Sequence, residues 1–208
     1  MEPLHAAEVR VLGALLEKDQ TTPEYYPLTL NALVNACNQK SSREPIVNYG
    51  EEIVTEALAS LQYRGLATRI SGAGHRVEKF GHRLGEKLNL GRREMALLCV
   101  LMLRGPQTVG ELRARTERMH DFADMEEVEH VLGTLQAREP EALVAPLARG
   151  RWVQLLGGVY EDSAAQETAG GVRTSSEVRD SLEERVAALE REVAEMRQQL
   201  ENFRRQFE

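Results

Sequence analysis

The sequence predicts a mainly α-helical protein with small β-hairpins, of the α+β class: two tandem winged-helix domains followed by a C-terminal coiled-coil helix. Three observations support this class. Apolar residues recur at helical spacing, each group of three such helices is followed by a glycine-broken stretch of strand character, and apolar heptads close the chain. The predicted segments are domain 1 (1–90), domain 2 (91–160), a flexible linker (161–176) and a coiled-coil helix (177–208).

Three amphipathic helices are predicted in the first domain. The second helix is the clearest, because Leu30, Leu33, Val34 and Cys37 follow the spacing i, i+3, i+4, i+7. The first and third show the same periodicity through Val9, Leu12, Leu15 and Leu16, and through Ile53, Val54, Ala57, Leu58 and Leu61. The following stretch, LATRISGAGHRVEKF, predicts a two-stranded hairpin, which completes the layout of a winged helix.

The same order recurs in the second domain, with helices near 92–104 and 108–117, a third helix, and a hairpin around Gly150. The third helices share the pattern V-x-x-x-L-x-x-L-Q-x-R, which begins at Val54 and again at Val128. This agreement favours a duplicated domain. The first copy carries two extra segments, TTPEYYP and QKSSREP.

The stretch TTPEYYPLTLNALVNACNQKSSREP, residues 21–45, resembles the signature of the YceH family. These are bacterial tandem winged-helix proteins without an established biochemical activity. The resemblance covers about residues 4–160. It implies the fold and a bacterial cytosolic setting, and it implies no mechanism.

Composition excludes several classes of protein. The longest apolar run, residues 95–103, is too short for a bilayer span of about 20 residues, and no export signal opens the chain. We therefore expect a cytoplasmic protein that does not enter membranes. Residues 161–208 carry 7 basic and 12 acidic residues and so supply most of the net charge of −7, which leaves the rest nearly neutral.

No pattern of catalytic or metal-ligating residues stands out. Cys37 and Cys99 are far apart, each on the apolar side of a predicted helix, and we interpret both as buried hydrophobic residues. The histidines lack ligand spacing, and SGAGHR lacks the Gly-Lys-Ser/Thr ending of a phosphate loop. We expect no enzyme activity, no cofactor and no metal.

The third helix of a winged helix commonly enters the DNA major groove. Here both third helices begin with glutamates, which phosphates would repel. Asn48 with Glu51, and Asp124 with Glu127, have capping-box spacing, so a structural role for these acids is favoured over base recognition.

Cations cluster instead in the hairpin of domain 1 and in the loop after its second helix. The candidate nucleic-acid contacts are Lys40, Arg43, Arg64, Arg69, Arg76, Lys79 and Arg83. They would form an electrostatic footprint for the phosphate backbone of double-stranded DNA. The alternative is that lysine and arginine at hairpin edges prevent edge pairing.

A polar face also runs along the second helix. Asn31, Asn35, Asn38 and Gln39 lie on it and lead into the inserted loop. Such side chains can contact adenine edges or hydrogen-bond the backbone of an irregular loop. Bracing of the loop is the favoured interpretation.

The C-terminal residues predict an assembly element. The seam consists of Leu182, Val186, Leu189, Val193, Met196 and Leu200. Valine at position a with leucine at d favours a parallel two-stranded coil, and the short length predicts a weak homodimer. The alternative is a single amphipathic helix that folds back on the domains.

Two functions follow as hypotheses. The first is a non-enzymatic DNA-associated protein, of transcription-regulatory type, that contacts the phosphate backbone through the basic hairpin of domain 1. The alternative is a protein–protein interaction adaptor that uses its winged-helix domains as a scaffold for a protein partner.

Overall fold

The computed structural model describes residues 2–70 and 77–158. The predicted linker and coiled-coil helix, with the seam from Leu182 to Leu200, lie outside the described residues, as does Arg76. Within the described part, no helix is long and apolar enough to cross a bilayer.

Helices alternate with short strands in the first half of the described chain. Its elements are α1 (Ala6–Thr21), a 3₁₀ helix (Pro23–Tyr25), β1 (Leu28–Thr29), α2 (Leu30–Cys37), α3 (Glu51–Tyr63), β2 (Ala67–Ile70), β3 (Lys79–His82) and α4 (Leu84–Leu88).

The second half repeats this order. Its elements are α5 (Arg92–Arg104), β4 (Gln107–Thr108), α6 (Val109–Thr116), α7 (Met125–Gln136), β5 (Val144–Leu147), a 3₁₀ helix (Ala148–Gly150) and β6 (Arg151–Gln154). The α+β class is confirmed, and each half consists of three main helices and one small antiparallel sheet.

Each sheet has three strands, in the orders β1-β3-β2 and β4-β6-β5. The expectation of two-stranded hairpins was therefore incomplete. The missing strands, β1 and β4, are two residues long, too short for an alternating pattern to be visible in the sequence. Each leads directly into a helix whose first turn is capped by the strand's last residue, Thr29 or Thr108.

The two halves pack on each other through α1 and α5. Gly13 of α1 lies against α5, because a Cβ there would come within 3.0 Å of Leu103 and 3.2 Å of Met102. The buried apolar side chains of both halves form one continuous cluster, and residues 1–161 form one compact unit. The boundary near residue 90 therefore divides two repeats that share a core.

Only one of the two expected helix caps is present. The amide of Glu127 donates to Asp124 Oδ1 at 2.8 Å, so Asp124 caps α7 as expected. The Asn48 cap was wrong: α3 begins after Gly50, which offers no side chain, and Asn48 lies two residues too early.

Candidate functional surfaces

Two described arginines of the region from β2 to α4, Arg69 on β2 and Arg83 just before α4, are paired with carboxylates. Arg69 lies 2.7 Å from Glu78 across the hairpin, and both side chains are more than half exposed. Arg83 lies 2.7 Å from Glu86, one helical turn away. Lys79 is half-buried in the central strand. The basic hairpin thus carries less uncompensated charge than its lysine and arginine content suggests.

Arg64, at the end of α3, is directed towards the N-terminal segment. It donates to the carbonyl oxygen of Glu2 at 2.8 Å, and its Nε lies 3.6 Å from Glu8 Oε1. These acids come from a distant part of the sequence, so a count of charges along the hairpin alone does not include them.

Arg43 is buried and does not form part of an exposed basic surface. Its residue is only 4% exposed, whereas a phosphate contact requires an accessible guanidinium. It forms a bidentate ion pair with Glu17 at 3.0 and 2.7 Å and also donates to the carbonyl oxygens of Ala36 and Ser42 and to Gln39 Oε1. Its donors are thus used inside the protein, and its predicted role in nucleic-acid binding was wrong.

The polar face of α2 divides into two parts. Asn38 braces the loop by donating to Tyr49 O and accepting from Tyr49 N, both at 2.8 Å. Gln39 accepts from Arg43, which supports the same function. Asn31 and Asn35 are exposed and hydrogen-bond to each other at 3.2 Å.

Sequence reasoning missed the anchors of the loop on α1. Arg10 is buried and donates to Cys37 O at 3.1 Å and to Pro45 O at 2.6 Å, while Glu17 holds Arg43. Arg10 and Glu17 are two turns apart and share one face of α1. Two charged residues at that spacing beside an apolar stripe are the signal that could have located them.

The loop after α2 also contacts the second half of the molecule. The amide of Glu44 donates to Leu103 O at 2.8 Å, and Arg104 donates to Ser42 Oγ at 2.6 Å. The insertion that distinguishes the first repeat therefore connects the two halves, whereas Lys40 remains exposed at its edge.

The outer face of α3 combines acidic and apolar groups. Glu51, Glu52 and Glu56 are exposed, and within the described chain no cation lies within 4.0 Å of their carboxylates. Ile53 is 43% exposed and Tyr63, at the end of the helix, is 95% exposed. We call these five residues the α3 face.

A cavity of about 400 Å³ adjoins the α3 face, and Ile53 and Glu56 form part of its lining. Glu8, also in its lining, is buried. Burial would raise the pKa of Glu8, but Ser60, the His5 amide and the charge of Arg64 together hold it below its ordinary value. The cavity thus contains an ionised carboxylate at neutral pH.

Both cysteines are buried thiols. Burial raises the pKa of Cys37 to about 12, and burial also raises the pKa of Cys99. Over residues 2–70 and 77–158, no group of three or more histidine, cysteine or acidic side chains is arranged to hold a metal ion.

Comparison with known proteins gives the family. A family model described as "Protein of unknown function, DUF480" matches residues 4–151. A UPF0502 protein of Solibacter usitatus is 56% identical over 211 residues, covering 99% of this chain and 98% of that protein. UPF0502 proteins of Pelobacter propionicus and Shewanella loihica are 48% and 44% identical, covering 99% and 95% of this chain and 98% and 96% of those proteins. The expected family is confirmed, and the chain belongs to these bacterial UPF0502 proteins of unknown function.

Proposed function

We propose that the protein is a non-enzymatic interaction adaptor, in which two winged-helix repeats form a rigid scaffold and the α3 face binds a basic, partly apolar segment of another protein. The observation that carries the proposal is the composition of the α3 face: three exposed glutamates without a cation partner among the described residues lie near exposed Ile53, and exposed Tyr63 ends the same helix.

Electrostatics favours a protein partner over DNA at this helix. Duplex DNA carries one negative charge per about 1.7 Å of axis, so three unpaired carboxylates would be repelled from its backbone. A segment rich in lysine or arginine would be attracted to the same carboxylates, and charge complementarity of this kind directs association and selects partners.

The apolar groups supply the second requirement of a protein interface. Exposed aromatic and aliphatic side chains are typical anchors of such interfaces, because burying them on binding removes apolar surface from water. Ile53 and exposed Glu56 both border the cavity, so a basic side chain of the partner that reached it would meet the carboxylate of Glu56. The partner motif expected here is a cation next to an apolar residue.

Charge reversal tests this proposal. Proteins that co-purify with the wild type from its native bacterium should be lost from a Glu52→Lys/Glu56→Lys variant. The matched control is Glu126→Lys/Glu129→Lys, which reverses two exposed acids on α7. The proposal would be contradicted if the α3 variant retained these co-purifying proteins, or if both variants lost them equally.

DNA association through the hairpin is the second candidate. The observation that favours it is the exposure of the Arg69–Glu78 and Arg83–Glu86 pairs, since exposed pairs contribute only about 0–1 kcal/mol and their arginines can exchange partners. Duplex binding measured by anisotropy should then weaken steeply with salt, with a shallower slope for Arg69→Ala/Arg83→Ala. Absence of binding at low salt would exclude this candidate.

A further inference from the structure

A cleft of about 640 Å³ lies between the two halves. Its walls come from the end of α1, the loop after α2, and the ends of α5 and α6. Its volume is within the range of about 300–1,000 Å³ that is typical of small-molecule sites. Because both halves contribute walls, the cleft exists only while they pack together.

Cations outnumber carboxylates in the lining of the cleft. The basic residues are Lys18, Lys40, Arg104, Arg115 and Arg118, and the acidic ones are Glu17 and Glu117. Glu17 accepts both bonds of the bidentate pair with buried Arg43, so much of its charge is already compensated. The cleft therefore has a net positive charge.

Three of these cations have no carboxylate partner among the described residues. Lys18 lies 3.3 Å from Glu17 and Arg115 lies 3.2 Å from Glu111. Lys40, Arg104 and Arg118 have no carboxylate within 4.0 Å in residues 2–70 and 77–158. An anion in the cleft would supply the missing partner.

Helix dipoles explain only part of this cluster. Lys18, Arg104 and Arg115 lie in the last turns of α1, α5 and α6, where cations complement the partial negative charge of a helix end. Lys40 and Arg118 lie outside these helices. A cluster that served only helix capping would not need them.

Arg104 is positioned to orient an anion bound in the cleft. It is half-buried and donates to Ser42 Oγ at 2.6 Å, so its guanidinium is held in one position at the junction of the two halves. Burial, and then the neighbouring charge of Arg115, lower its pKa. A planar guanidinium beside further cations is a suitable binding group for phosphate oxygens.

We propose that this cleft binds a small phosphate-bearing molecule, of the size and charge of a pyrophosphate-containing metabolite, between the two halves of the protein. A small molecule is favoured over a nucleic-acid backbone because the cations line a concave cleft of about 640 Å³. The proposal does not depend on the α3 face.

Calorimetric titration with inorganic pyrophosphate at fixed ionic strength tests the proposal. The wild type should bind saturably, and Lys40→Ala/Arg118→Ala should bind at least about tenfold more weakly, which corresponds to about 1.4 kcal/mol. Both side chains are exposed, so the double variant should remain folded. The matched control, Lys79→Ala/Arg83→Ala, removes two cations outside the cleft and should bind within twofold of the wild type.

Two competition experiments distinguish a small phosphate-bearing molecule from a nucleic acid. ATP should compete with pyrophosphate, whereas a short duplex DNA at the same phosphate concentration should not. No saturable binding at millimolar pyrophosphate, an equal loss in both double variants, or displacement by duplex DNA would each overturn the proposal.

Discussion

Arg43 illustrates how a residue's position changes its role. In the sequence it is a cation in a polar loop beside a proline, a context typical of an exposed contact residue. In the structure its side chain is completely buried and is held by a carboxylate from α1. The pairing could not be predicted because Glu17 lies 26 residues earlier, and nothing local relates the two. Asn38 was predictable as a loop brace, since its hydrogen bonds involve only the loop that follows it.

The buried pair predicts a strong effect of Glu17→Gln on stability. Removing one partner of a buried pair leaves an uncompensated charge, and we expect a loss of about 3–5 kcal/mol in the free energy of unfolding at pH 7. Urea denaturation measures it. The control is Glu86→Gln in the exposed pair with Arg83, which should cost less than about 1 kcal/mol. Equal losses in the free energy of unfolding for the two substitutions would contradict a buried Glu17–Arg43 ion pair.

The same pair predicts a pH dependence. Burial would raise the pKa of Glu17, but the hydrogen bonds and charge of Arg43 outweigh it, so the pKa in the folded state lies below the ordinary value of 4.5. Its stabilising contribution is therefore complete above pH 4.5 and is lost as pH falls through the folded-state pKa. The stability difference between wild type and Glu17→Gln should be constant near neutral pH and shrink in acid. A stability difference between the two proteins that grows as the pH falls would contradict a lowered pKa of Glu17 in the folded state.

At the scale of elements, helices were predictable and short strands were not. The apolar pattern of the second helix begins at Leu30 and ends at Cys37, and α2 begins and ends at the same two residues. Strands β1 and β4 show no pattern at two residues each, so they are defined only by pairing, as in Leu28 opposite Phe80. The contact between α1 and α5 was also not predictable, since Gly13 in a helix signals nothing about which element approaches it.

Gly13→Ala tests the close contact of α1 with α5. The new Cβ would meet buried Leu103 at 3.0 Å, and we expect a loss of about 1–3 kcal/mol from overpacking. The matched control is Gly133→Ala in α7, where nothing lies within 4 Å of the added Cβ. Its stability should rise by about 0.5–1 kcal/mol, because alanine is the better helix former. If both variants were stabilised alike, α1 and α5 would not pack as closely as described.

At the scale of the whole molecule, the two repeats behave as one body. Their buried side chains form one cluster, and the loop inserted in the first repeat hydrogen-bonds to α5 of the second. Sequence similarity between the third helices predicted the duplication, yet it gave no indication that the copies share a core. A shared core holds the α3 face and the cationic cleft at fixed positions, so the molecule offers two chemically opposite surfaces on one scaffold.

The shared core predicts cooperative unfolding. Thermal denaturation followed by far-ultraviolet circular dichroism and by the fluorescence of Trp152, in β6 of the second repeat, should give coincident single transitions. A fragment of residues 1–90 should be unstable, because it would expose the face of α1 that α5 covers. Two separated transitions, or a stably folded fragment, would contradict the shared core.

In-cell photo-crosslinking tests the proposal that the α3 face, and not the β2–β3 hairpin, contacts the partner. A photoreactive residue replaces Ile53 on α3 in one variant and Ile70 on the hairpin in another; these two isoleucines are 43% and 40% exposed. We predict a discrete protein adduct through position 53 and none through position 70. A nucleic-acid adduct through position 70, with no protein adduct through position 53, would contradict the adaptor function.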